Sequence, residues 1–105
     1  MKNPDPLEKD IEKKVVDFAK AKGCIVYKFT SPSRRSVPDR LFISPKGIVF
    51  FMELKRKGQK PTPSQAVEID KIRRQGVSVF VIDNVDLGKA MVEGMLKEKD
   101  ELEGY

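Results

Sequence analysis

Residues 36–58, SVPDRLFISPKGIVFFMELKRKG, decide how this chain is built. Two runs rich in β-branched and aromatic residues, PDRLFIS and IVFFMELK, flank PKG, whose proline and glycine mark a tight turn. They read as a β-hairpin. Pro38 at the head of the first run suits an edge or a strand's first residue rather than its middle. In the second run, alternation puts Ile48, Phe50, Met52 and Leu54 on one face and Val49, Phe51, Glu53 and Lys55 on the other. Apolar residues on both faces predict a central strand covered on both sides. A glutamate and a lysine therefore end the strongest core strand, with Asp39 one hairpin earlier.

On the N-terminal side, PLEKDIEKKVVDFAKAKG (6–23) opens with proline and closes with glycine, the usual helix asymmetry. Leu7, Ile11, Val15, Phe18 and Ala19 recur at helical spacing, and Glu8 and Glu12 fall on that same side. CIVYKFT (24–30) is a strand and SPSRRS a polar loop. On the C-terminal side, RKGQK turns the chain and Thr62, Pro63 and Gln65 fit N-cap, first helical position and capping box. Ala66, Ile69 and Ile72 give that helix its buried stripe, and Gly76 ends it. VSVFVI (77–82) is a fourth strand, and DNVDLGKAMVEGML a last helix with Leu87, Ala90, Met91 and Met95 inward. KEKDELEGY is charged and expected to fray. The order is α-β-β-β-α-β-α in one domain, 1–105, with a core of about 7–97 and a charged tail at 98–105.

The chain holds 21 Lys and Arg against 16 Asp and Glu, a net charge of +5 that favours an anionic partner, nucleic acid first. A single cysteine, Cys24, permits no internal disulfide and is expected to be a core residue. No apolar run approaches the length of a membrane span, and no signal core is present at the N-terminus. A cytoplasmic location is expected. Histidine is absent, which excludes Ser-His-Asp and Cys-His hydrolases and imidazole metal sites. Catalysis, if present, falls to carboxylates, lysine and a hard metal ion.

Those residue types suit phosphodiester hydrolysis. A divalent ion activates water and offsets phosphate charge, and magnesium prefers carboxylate, carbonyl and water oxygens. Asp39 and Glu53 supply two carboxylates if their strands pair, and the Leu54 carbonyl between Glu53 and Lys55 could be a third oxygen. Lys55 projects on the face of Glu53, where its ammonium could hold the attacking water or stabilise phosphate. The bland alternatives are an edge salt bridge between Glu53 and Lys55 and pairing of Asp39 with Arg40.

Pro38-Asp39, followed across the hairpin by Glu53-Leu54-Lys55, resembles the PD-(D/E)xK nuclease superfamily. The series of N-terminal helix glutamate, RRSVPDRLFI, FFMELK, PTPSQ and GVSVFVIDN is similar, over roughly Glu8 to Lys89, to the virus-type replication-repair nuclease (VRR-NUC) domain in its stand-alone, bacteriophage-like form. The resemblance implies a restriction-endonuclease-like α/β fold with a central mixed four-stranded sheet flanked by helices. It further implies a Mg²⁺- or Mn²⁺-dependent DNA endonuclease with metal ligands at Asp39 and Glu53 and a catalytic lysine at Lys55. The helix glutamate, implied as a further metal ligand, falls on Glu12, with Glu8 as alternative, and Gln65 braces the site or contacts substrate. Where the family often has glycine ahead of the Pro-Asp pair, this chain has Ser36 and Val37.

Arg34, Arg35 and Arg40 on one side, and Arg56, Lys57 and Lys60 on the other, bracket these residues as DNA contacts would. Tyr27 and Phe29 are expected in strand packing, with base stacking as the alternative. Stand-alone members of the family resemble Holliday-junction resolvases, which implies branched DNA, a four-way junction, and a homodimer. Leu87, Met91 and Met95 offer a dimer face, though core packing explains them equally well. The other readings are a flap or splayed-end nuclease, a DNA-binding module with a decayed site, and a basic ribosome-associated or partner-binding protein.

Overall fold

A computed structural model describes residues 7–32 and 36–103, with side chains as far as residue 98. The elements follow in the expected order: α1 (Glu8–Ala21), β1 (Ile25–Lys28), β2 (Arg40–Ile43), β3 (Val49–Leu54), α2 (Pro63–Arg74), β4 (Ser78–Ile82) and α3 (Val85–Glu103). The sheet runs β1-β2-β3-β4. β1–β2 and β2–β3 are antiparallel, and α2 carries the chain across to β4, which lies parallel to β3. The result is an α/β fold with a mixed four-stranded sheet flanked by helices.

The termini of the helices obey local rules. Gly23, at φ 95°, closes α1: its N–H donates to Lys20 O and that of Cys24 to Ala19 O, the Schellman pattern. Thr62 and Gln65 complete the expected capping box on α2. Asn84 caps α3 by accepting the Leu87 N–H at 2.8 Å. That helix continues to Glu103, past the expected frayed end at residue 97, through residues that favour helix.

α1 and α3 cover one face of the sheet. Ile11, Val15, Val16, Ala19, Val92 and Met95 meet Phe42, Phe50, Met52, Leu54 and Ile82 in a single buried cluster. Phe42 and Phe50 are cross-strand partners and stack at 4.9 Å. Each such side chain contributes about 1.5–3 kcal/mol by leaving water.

α2 lies on the opposite face, where its Ile69 is buried and β4 supplies buried Val79. The second face is thus covered over β3 and β4 but open over β1, and the two-sided cover expected for the whole of β3 holds only at its Glu53 end. Val49 is 44% exposed and Ile25 51%. Tyr27, expected in strand packing, is 55% exposed, whereas Phe29 packs edge-on to Phe51 at 5.1 Å.

The inward side of α3 also differs from the expected one. Gly88, Val92 and Met95 are buried, while Leu87 is 38% exposed and Ala90 is exposed. Hydropathy does not register Gly88, yet the helix packs tightly on α1 there: an added Cβ would stand 2.5 Å from Val15 Cγ2. With Met95 buried and Met91 packed on the core, only Leu87 of the proposed dimer face remains substantially open.

Candidate active site

The end of β3 gathers the acidic residues singled out in the sequence. The β2–β3 register pairs Arg40 with Met52, and continuing it by one residue sets Asp39 opposite Glu53. One step further, Pro38 faces Leu54. Leu54 N–H points toward β2 and Lys55 N–H toward β4, where it bonds Ile82 O at 2.9 Å. In an antiparallel pair the N–H and C=O of one residue point to the same neighbour. The Leu54 carbonyl therefore faces Pro38, which has no N–H to give it. The Leu54 N–H turns instead to Asp39, donating to Oδ2 at 2.9 Å. Proline before aspartate thus breaks the ladder where a carboxylate and a free carbonyl come together.

Glu53 is 1% exposed. Its Oε2 accepts from Gln65 Nε2 at 3.0 Å and lies 3.5 Å from Lys55 Nζ, while its buried Oε1 has no partner among the described residues. Burial, then the facing Asp39 carboxylate, push its pKa up to about 7, against the pull of Lys55. Burial likewise raises Asp39, opposed by the Leu54 N–H, with Glu12 adding to the rise. Two carboxylates forced together out of water resist ionising unless a cation compensates them.

Gln65 holds this arrangement from α2. Its Oε1 accepts from Lys55 Nζ at 2.8 Å and from the Thr62 N–H at 2.9 Å, while its amide nitrogen serves Glu53. Lys55 is fixed beside Glu53 by the same side chain that caps the helix. Ser36 Oγ, just ahead of Pro38, donates to Ser64 Oγ at 2.9 Å and joins the Asp39 loop to the same helix end.

The two α1 glutamates occupy different surroundings. Glu12 accepts from Arg40 Nε, and both side chains are largely buried. Glu8, one turn earlier, feels the site itself: burial and then Asp39 raise its pKa, Lys55 lowers it, and it in turn raises Glu53. Among the described residues no three His, Cys, Asp or Glu side chains are arranged to hold a metal ion. The register sets Asp39 opposite Glu53 and turns the Leu54 carbonyl toward the same neighbouring strand. The Oε1 of Glu53, without a hydrogen-bond partner among the described residues, and a carbonyl that Pro38 cannot serve fit a hard ion that keeps several waters.

Among the expected DNA contacts, Arg40 borders the site, and Arg56, Lys57 and Lys60 are exposed on the β3–α2 loop. Gly58 N–H anchors that loop to Asp83 at 3.0 Å. Arg34 and Arg35 lie outside the described residues. Sequence reasoning missed the role of Pro38 opposite Leu54, which the register 38↔54 could have revealed, and the capture of Glu12 by Arg40, for which the sequence carries no signal.

A restriction-endonuclease-like sheet carrying paired carboxylates, a lysine and a bracing glutamine defines the class of protein. No family model matches the chain. A curated relative, "Putative nuclease p44" of Acyrthosiphon pisum secondary endosymbiont phage 1, is 44% identical over 84 residues, covering 80% of this chain and 90% of that protein. A solved structure described as a VRR_NUC domain superposes with a TM-score of 0.77 at 31% identity, over 82% of this chain and 94% of its own. A VRR_NUC domain protein, 16% identical, shares the fold at a TM-score of 0.74 over 89% of this chain and 90% of its own. The chain belongs to the VRR-NUC nuclease family. No helix among the described residues is long and apolar enough to cross a membrane.

Proposed function

We propose that this chain is a Mg²⁺- or Mn²⁺-dependent endodeoxyribonuclease of the PD-(D/E)xK type that acts as a homodimer on branched DNA, the four-way junction foremost. The observation that carries the metal-dependent chemistry is the buried, unpartnered Oε1 of Glu53 beside Asp39 and the Leu54 carbonyl. A buried carboxylate oxygen without a donor is expensive, and a bound divalent ion supplies the missing charge, polarises phosphate and lowers the pKa of water.

Asp39, Glu53 and the Leu54 carbonyl would hold that ion. Glu8, half-buried and coupled to both carboxylates, would contribute through water. Lys55, pinned to Gln65, presents its ammonium where it orients the attacking water and offsets charge on the phosphate. Water gives up a proton to solvent as its oxygen adds to phosphorus and the bond to the leaving oxygen breaks, and solvent protonates the leaving oxygen. The rigid end of β3 supplies the fixed geometry such a step needs. Support for the junction and the dimer comes from the likeness to stand-alone phage nucleases, since the curated relative is a phage protein matched over nearly its whole length.

The test is cleavage of labelled four-way junction, flap and linear duplex with Mg²⁺, Mn²⁺ or EDTA, by wild type and Lys55→Ala. Paired cuts in the junction, lost in EDTA and in Lys55→Ala, are expected. Preferred cutting of flap or splayed ends would replace the resolvase reading with those substrates. Binding of every DNA without cutting in either metal would leave a DNA-binding module.

A further inference from the structure

We infer that the cleft between α1 and the start of β2 is a second DNA-binding surface, in which Lys9, Lys13, Lys20, Lys28 and Arg40 seat the phosphodiester backbone leading away from the cut site. The inference rests on the proposed action on DNA and adds a surface that the β3–α2 loop cations do not supply.

The cleft, about 260 Å³, is lined by Lys9, Glu12, Lys13, Val16, Asp17, Lys20 and Arg40. Four cations thus face two carboxylates. Each carboxylate already holds one cation, Glu12 with Arg40 and Asp17 with Lys13 at 2.7 Å. Lys9 and Lys20 are left without an acidic partner in the cleft. At about 100° per residue, positions 9, 13 and 20 fall within about 40° of one another, so the three ammoniums form one line along the helix.

The sheet extends this surface. Lys28 is the direct cross-strand partner of Arg40, on the same face. Like charges directly opposite each other destabilise a strand pair, and Glu12 answers only one of the two. An anion laid over the pair removes the repulsion. Arg40 immediately follows Asp39 in the chain, its side chain on the α1 face of the strand and that of Asp39 on the α2 face, so the row of cations starts at the edge of the candidate active site. With the Glu12 carboxylate engaged, the guanidinium is held at the mouth of the cleft before any ligand arrives. A polyanion with evenly spaced charges fits a straight row of exposed ammoniums better than a compact ligand does.

Counterion release gives the test. Each phosphate contact contributes about 0.9 to the slope of log affinity against log salt on B-form DNA. Binding of four-way junction is measured by fluorescence anisotropy in EDTA from 50 to 200 mM salt. The proteins are wild type, Lys9→Ala/Lys20→Ala/Lys28→Ala, and the α2 control Lys71→Ala/Arg74→Ala. The three substituted lysines are exposed, and unchanged circular dichroism and melting confirm the fold. The triple variant should lose about two to three units of slope and bind at least tenfold more weakly at 100 mM salt, with the control at wild-type values. The single charge reversal Lys28→Glu should weaken binding further than Lys28→Ala. A triple variant with wild-type slope and affinity overturns the α1 surface alone. A wild-type protein that binds none of the DNAs overturns the nucleic-acid reading as well.

Discussion

At the scale of single residues, Glu53 links the site to stability. Its folded pKa of about 7 lies above the ordinary carboxylate value of 4.5. Between those pH values the folded protein holds a proton that the unfolded chain has released, so metal-free stability falls as pH rises through the window. The loss is on the order of 3 kcal/mol when complete. Asp39 and Glu8 are shifted in the same direction and add to the slope. In EDTA, melting temperature should decrease from pH 5 to pH 8, and Glu53→Gln should flatten that decrease and melt no lower than wild type at pH 8. A wild-type slope in Glu53→Gln would locate the titration elsewhere. Gln65→Ala removes the capping-box partner of Thr62 and the brace of Lys55. It should cost about 1–3 kcal/mol in urea unfolding, because the buried Glu53 loses its donor, and lower kcat more than it raises KM. An unchanged kcat would reduce Gln65 to a helix cap.

At the scale of elements, the site depends on where two strands stop pairing. Pro38 withholds an N–H from Leu54 and thereby leaves its carbonyl available. Pro38→Ala supplies the missing donor. Calorimetric titration should show weaker Mn²⁺ binding in a protein that still folds, and unchanged affinity would detach the carbonyl from the ion. Helix packing gives a separate expectation. An added methyl at Gly88 meets Val15 at 2.5 Å and Ile82 Cγ2 at 3.2 Å. Gly88→Ala should destabilise by about 1–3 kcal/mol in urea, and Val15→Ala in the same chain should restore part of the loss, since touching residues are not additive.

Much of this level was legible in the sequence. Period-2 alternation in 48–55 and the Pro45–Gly47 turn fixed the hairpin, and Thr62, Pro63 and Gln65 placed α2. The inward side of α3 was not legible, because the residue packed against Val15 is a glycine that no hydropathy pattern counts.

At the scale of the whole molecule, α1 and α2 meet the end of the sheet from opposite faces and bring Glu8 and Gln65 to one place from opposite parts of the chain. Asp39, Glu53 and Lys55 were readable from motif spacing, and the register puts the two carboxylates side by side. The difference between Glu8 and Glu12 was not, since both share one helix side and only the folded chain brings Arg40 to Glu12. Exposure of Tyr27 was equally hidden, because a β-rich segment reads alike whether or not a helix lands on it. Cations likewise frame the site from both sides, on α1 and on the β3–α2 loop. If two such sites act on one junction, sedimentation equilibrium should give twice the 11.9 kDa chain mass at working concentration. A monomer there would require a substrate cut at one strand.

The measurement that bears most directly on the metal centre is anomalous diffraction from crystals soaked in Mn²⁺. A single strong peak is expected within coordination distance of the Asp39 carboxylate, the Glu53 carboxylate and the Leu54 carbonyl, and it should be absent in Glu53→Gln. No peak there at Mn²⁺ concentrations that support cleavage, or a peak on other residues, would contradict the site derived from the end of β3.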